Sequence, residues 1–156
     1  MHPLHHPHFV NFIVYFNDNQ DFFECHEELE HYWKAQPDFS KDHPLTAYIL
    51  LAVGLYHWRR ENFIGAHKLL HKAERRMVRF LNEPSPFTEG IDFSTLYQQC
   101  RESMHAVERG ESFQSFEIHI TSNTLRALYE EAQSTLPLLP KNSIDIIEKH
   151  RLRHRA

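Results

Sequence analysis

Glycine and cysteine are both scarce in this chain, with 4 Gly and 2 Cys in 156 residues. So little glycine excludes collagen-like and Gly-rich linker architectures. The two cysteines, Cys25 and Cys100, form no CxxC pair. That excludes a disulfide-stapled miniature fold, and with no secretory leader visible it predicts a reduced, cytoplasmic protein. Long apolar runs are missing too. Leu45–Trp58 carries no Lys, Arg, Asp or Glu, but it falls short of the roughly 20 residues a membrane span needs, so it reads as a buried core helix and no membrane is expected. Cations are outnumbered, 17 Lys and Arg against 21 Asp and Glu, for a formal net charge of −4. General attraction to nucleic acid is not expected at that charge. No nucleophile pattern, Gly-rich phosphate loop or complete metal motif is present, which leaves open whether the protein is an enzyme.

What is present suits an all-α protein. The chain is 41% hydrophobic and 24% charged, which a single domain of this length can fold around one core. Apolar spacing predicts a first helix from about His8 to Phe16, ended by Asn17-Asp18-Asn19, and a second from Asp21 to Lys34. Residues 37–44 form a loop. A third helix starts with Pro44 in its first turn and runs to Arg60, apolar nearly all round and hence central, with Asn62 as its left-handed stop. A fourth follows from Phe63 to Leu81. Ser94 is expected to cap a fifth that Gly110 closes. Phe113–Thr121 should be an irregular packed loop, since a lone strand has no partner. Asn123–Ser134 and Ile144–Leu152 complete a set of six to seven helices, ending in a basic tail of Lys149, Arg151, Arg153 and Arg155. The N-terminus, Met1–His8, holds four of 14 histidines. Such an end can bind transition metals, but a frayed terminus is the plainer expectation.

The second helix concentrates the chemistry. Six carboxylates, Asp18, Asp21, Glu24, Glu27, Glu28 and Glu30, precede the first cation, Lys34. Helical phase puts His26 and Glu30 on the edge of its apolar face and turns Glu28 and His31 away. Arg59 and Arg60, at the end of the apolar helix, are the expected partners of these acids, for example Glu27 with Arg59. The helix also has an echo. Phe22-x-x-Cys25-His26-x-x-Leu29 matches Phe63-x-x-Ala66-His67-x-x-Leu70, and Phe-x-x-Ala at a helix start resembles tetratricopeptide-type hairpins; two copies are either a chance match or two similar faces packed on the central helix. In the echo, His67 and His71 take the places of His26 and Glu30. These i, i+4 pairs make His26, Glu30, His67 and His71 candidate ligands for a divalent metal. A His at the rim of an apolar face more often just bonds to a neighbour. A Glu beside it could also serve acid–base chemistry.

These residues carry a family resemblance. Asp21-Phe22-Phe23-Glu24-Cys25-His26-Glu27-Glu28-Leu29-Glu30-x-x-Trp33, then Ile49–His57, then Asn62-Phe63-x-Gly65-Ala66-x-x-Leu69-Leu70-x-Lys72-Ala73 resembles the bacterial and archaeal family called domain of unknown function 309. The resemblance covers about 17–93, and the segment around Phe113–Ile120 looks like the extension of Bacillus-type members. It implies an all-α, cytoplasmic helix array with no established activity. Glu24, His26, Glu27, Glu30 and Trp33 match its signature, with Arg59 or Arg60 less fully; His67 and His71 do not belong to it. The expected division is a family core over 17–93 and a C-terminal helical extension over 94–156. Two functions are expected. One is a non-enzymatic binding or scaffold module using Glu24, His26, Glu27, Glu30, Trp33, Arg59 and Arg60. The other is a metal-dependent hydrolase-like enzyme with His26 and Glu30 as ligands and Glu27 as base. The sequence names no partner and allows a homo-oligomer.

Overall fold

The computed structural model describes residues 1–140 and 143–147. Helices α1 (Pro7–Val14), α2 (Phe22–Lys34), α3 (Leu45–Arg59), α4 (Phe63–Asn82), α5 (Phe93–Glu108), α6 (Asn123–Thr135) and the short α7 (Ile144–Ile147) follow one another, with no named strand among the described residues. The all-α class is therefore as the composition suggests. The basic tail and the end of the last helix lie outside the described residues.

Helix α3 is central for a simple reason. Its buried set, which includes Leu45, Tyr48, Leu51, Ala52, Leu55 and Trp58, leaves almost no polar stripe to face water. It is covered by α4 on one side and α2 on the other; α1 packs on α2, α5 on α4, and α6 on α1. The closest approach is at Gly54. A Cβ there would lie 2.8 Å from two side-chain atoms of Leu70 and 3.2 Å from its backbone nitrogen. Ala66, Leu70, Ala73 and Met77 make the buried face of α4, so the two echoing helices do flank the apolar one.

The echo extends to the helix starts. Gln20 (φ 55°) precedes Asp21, whose carboxylate accepts from the Glu24 N–H at 3.2 Å; Glu61 (φ 65°) precedes Asn62, whose side-chain oxygen accepts from the Gly65 N–H at 3.1 Å. Asn62 therefore starts α4 and Glu61, not Asn62, takes the left-handed turn. Asp92 rather than Ser94 caps α5, accepting from the Thr95 N–H at 3.1 Å. A carboxylate one residue ahead of the first helical turn outcompetes a hydroxyl inside it. Gly110 (φ 69°) closes that helix as its sequence position suggests.

The N-terminus is not frayed. Leu4 is fully buried, and the Tyr32 hydroxyl donates to the Pro3 carbonyl at 2.7 Å. Histidines make the caps here. The Nδ1 atoms of His2, His6 and His43 accept from the N–H groups of Leu4, His8 and Leu45 at 3.1, 3.1 and 3.0 Å. Pro44 sits just ahead of α3 rather than in its first turn. The first helix also does not simply stop: Tyr15–Asn19 widens into one π turn. There Asn17 brackets Ile118, donating to its carbonyl at 2.9 Å and accepting from its N–H at 2.8 Å. Asp18 accepts from Tyr129 and, at 2.6 Å, from Gln133. Residues 113–121 are irregular, with one antiparallel bridge between Ile91 and Ile120.

Two outcomes follow from this packing. Gly54→Ala should lower unfolding free energy by about 1–3 kcal/mol in urea titration, because Leu70 must move off its backbone-anchored position. A cap that accepts at Nδ1 requires a neutral ring. His43 is buried, and desolvation, opposed by Asp38, holds its pKa below the ordinary 6.5. Between the folded and unfolded pKa values the unfolded chain binds more protons, so stability falls as pH drops below about 6.5. His43→Asn keeps an acceptor that does not titrate, and its stability should fall less between about pH 7 and pH 5.

Candidate functional site

Helices α2 and α3 meet at a cavity of about 300 Å³ lined by Phe22, Phe23 and His26 from α2 and Val53, Tyr56, His57 and Arg60 from α3. The seven positions follow helical spacing on each helix, 22, 23 and 26 against 53, 56, 57 and 60, so one face of each supplies one wall. The walls are mostly apolar, and two imidazoles, a phenol and a guanidinium converge on them. Five of the seven, Phe22, Phe23, Val53, Tyr56 and His57, were not among the sequence candidates. Only the phase of the apolar helix against α2 could have singled them out.

The polar groups are held from both sides. His26 Nε2 lies 2.8 Å from Glu30 Oε2, and Glu30 in turn binds Lys34 through its other oxygen at 2.5 Å. The Lys34 bond, with help from His26, holds the Glu30 carboxyl below the ordinary range. Glu27 lies 3.9 Å from His26 Nδ1. On α3, His57 Nδ1 is 3.2 Å from the Asn62 side-chain amide, whose NH₂ can only donate; His57 therefore carries its proton on Nε2 when neutral. The Arg60 guanidinium lies over the Tyr56 ring, 5.4 Å from its centroid.

Arg59 has a different place. Its guanidinium sits 4.8 Å above the Phe22 ring and 5.8 Å from that of Phe113, and Nη1 donates to the Gln20 carbonyl at 2.7 Å. Nε and Nη2 are buried without a hydrogen bond. Burial lowers its pKa to about 10, against the opposing pull of Asp21, so the side chain remains a cation at neutral pH. The expected pairing of Glu27 with Arg59 is not formed. The left-handed turn at Gln20 presents a carbonyl to the arginine before the helix carboxylates come within reach.

The other candidates are distributed along α2 and beyond it. Glu24 is half-buried in the first turn, on the same helix as the cavity. Trp33 points elsewhere: its indole N–H donates to Ser40 at 2.9 Å, and its ring lies 4.3 Å from that of Phe39. Glu28 does not turn outward. Its side chain is only 17% exposed and binds His8 at 2.6 Å and Asn11 at 3.2 Å, because α1 covers that side. His67 and His71 lie on α4 with ring centroids 6.1 Å apart, and His67 binds Glu108 at 3.0 Å. Among the described residues, no group of three or more His, Cys, Asp or Glu is arranged to hold a metal ion. Cys25 and Cys100 are buried free thiols, and burial raises the pKa of both.

The profile of the family described as Domain of unknown function (DUF309) matches residues 9–69, and the chain belongs to that family. The match starts inside α1 and stops inside α4. The chain is also 30% identical to "Uncharacterized protein YpuF" of Bacillus subtilis (strain 168) over 163 residues, covering 95% of this chain and 87% of that protein. The likeness to a Bacillus protein thus runs through the C-terminal half. No solved structure matches the chain significantly.

Arg59→Ala removes the guanidinium from between two rings and leaves the Gln20 carbonyl with only the Phe22 N–H, at 3.0 Å. A loss of about 3 kcal/mol in chemical denaturation is the expected outcome. Arg59→Met keeps the packing volume without the unsatisfied donors and should recover at least half of that loss.

Proposed function

We infer that this protein is a non-enzymatic binding module, one all-α domain whose ligand seats in the cavity between α2 and α3. The observation that carries this reading is the cavity itself. About 300 Å³ of space, walled by Phe22, Phe23 and Val53 and rimmed by His26, Tyr56, His57 and Arg60, has the balance of apolar body and few polar anchors that small-ligand sites show. In this reading Phe22, Phe23 and Val53 take up the apolar part of the ligand. His26, oriented by Glu30, and Arg60 supply hydrogen bonds and charge at the mouth. Arg59 backs the site by fixing the Phe22 ring, and Glu24 and Glu27 flank it on the same helix. Trp33 acts at a distance, by pinning residues 39–40 against α2. The two free thiols, and the lack among the described residues of a helix long and apolar enough to cross a membrane, support a cytoplasmic setting.

The donor set argues for binding over metal chemistry. His26 and Glu30 already satisfy each other, and Lys34 holds the second oxygen of Glu30. A cation placed there would have to displace an ammonium group.

The anionic fluorophore anilinonaphthalene sulfonate tests the cavity. Its fluorescence should rise on binding, and Val53→Trp, which fills the space from α3, should abolish that rise while the protein still melts cooperatively. Arg60→Ala should weaken binding about tenfold. Unchanged binding by the Val53→Trp protein would sink the reading. A rise in melting temperature with added Zn²⁺, Mn²⁺ or Fe²⁺ that His26→Ala removes would replace it with the metal-dependent alternative.

A further inference from the structure

Helix α4 carries a charge pattern opposite to that of the whole chain. It holds five cations, Lys68, Lys72, Arg75, Arg76 and Arg79, against one acid, Glu74, in a protein of formal net charge −4. Glu74 is turned inward, accepting from the Tyr97 hydroxyl of α5 at 2.7 Å. Its apolar face, Ala66, Leu70, Ala73 and Met77, is spent on the core. Lys68, Lys72, Arg75 and Arg79 then follow one another at intervals of four, three and four residues, which keeps them on one outward stripe. All four are exposed. Arg79 binds Glu83 at 3.3 Å; Lys68, Lys72, Arg75 and Arg76 make no ion pair among the described residues. Beside the stripe is a shallow depression of about 420 Å³ lined only by His71, Lys72, Arg75 and Arg76.

A row of unneutralised cations beside a depression lined by basic side chains is complementary to a row of anions. At 1.5 Å per residue the cations without an ion pair, Lys68, Lys72, Arg75 and Arg76, span about 12 Å of helix. A duplex presents one phosphate about every 3.4 Å of axis on each strand, so this length faces enough phosphates to engage all four cations. Single-strand binders need exposed aromatic platforms for the bases; here Phe63 and Phe80 are packed against the core. Membrane-surface helices need their apolar face for the bilayer, and α4 has buried its own. Ile64, 87% exposed, is a single side chain at one end. The acidic remainder of the protein opposes binding weakly at physiological salt, where charges more than about 8 Å apart are screened.

We propose that the outward face of α4 binds the phosphate backbone of duplex nucleic acid through Lys68, Lys72, Arg75 and Arg76, without reading sequence. The test is fluorescence anisotropy with a mixed-sequence DNA duplex of about 20 base pairs. Binding should weaken roughly a hundredfold between about 50 and 200 mM salt, with a logarithmic slope of about −3.5 for four neutralised phosphates. Lys72→Glu with Arg75→Glu should reduce affinity at about 50 mM salt at least tenfold and bring the slope to about −2. Lys41→Glu with Arg126→Glu, two exposed cations off this face, makes the same change in net charge and should alter affinity less than twofold. Circular dichroism melts of both variants should stay within a few degrees of the parent. Absence of duplex binding at low salt, equal loss in the two double variants, tighter binding to the matching single strand, or capture by phosphatidylserine vesicles in place of duplex would each overturn the proposal.

Discussion

A helix that is apolar on every side has to be covered on every side, and the rest of this structure answers that requirement. Helix α3 offers no polar stripe, so α2 and α4 cover two flanks. Each of these is itself only half apolar and leaves a polar face outside. The charged residues of α2 and α4 therefore lie away from α3, and Arg59 and Arg60 stand where α3 ends. The two surfaces proposed to bind ligands, the cavity and the basic stripe, arise where coverage of α3 ends or where a covering helix faces outward.

Phe22 and Phe23 on α2 face Val53 and Tyr56 on α3 across the cavity. Behind it the Arg59 guanidinium lies above Phe22 and is tied to the carbonyl of Gln20. This fixes the start of α2 relative to the end of α3. A cation held in a mostly apolar place costs stability, and its two unsatisfied nitrogens add to that cost. Aromatic contact and one carbonyl bond offset part of it.

Much of the helix order could be read from the sequence, because apolar periodicity reports burial directly. The central place of Leu45–Arg59, the flanking places of the two echoing helices and the Gly110 stop were legible in this way. Caps were less so. Asn62 and Ser94 looked like a stop and a cap by residue type, but the residue one or two positions earlier decided both sites. The partners of Glu28 were not legible. Glu28 was assigned to solvent by the phase of α2 alone, yet α1 covers that side and supplies His8 and Asn11. Helical phase tells which residues share a face and not which neighbour lies on it. For the same reason His26 could be placed at the rim of an apolar face, but Tyr56 and His57 opposite it could not.

The π turn at Tyr15–Asn19 has a further consequence for how the chain assembles. Its three polar side chains reach Ile118, Tyr129 and Gln133, and Leu139, partners 101 to 120 residues away. Closing loops of that length carries an entropic penalty that local helix pairing does not. The α-hairpins of the first half can pair from near neighbours, whereas the second half has to find a docking point made by three consecutive residues. Asn17, Asp18 and Asn19 thus work as the clasp of the molecule, the place where the C-terminal segments are drawn back onto the first helix.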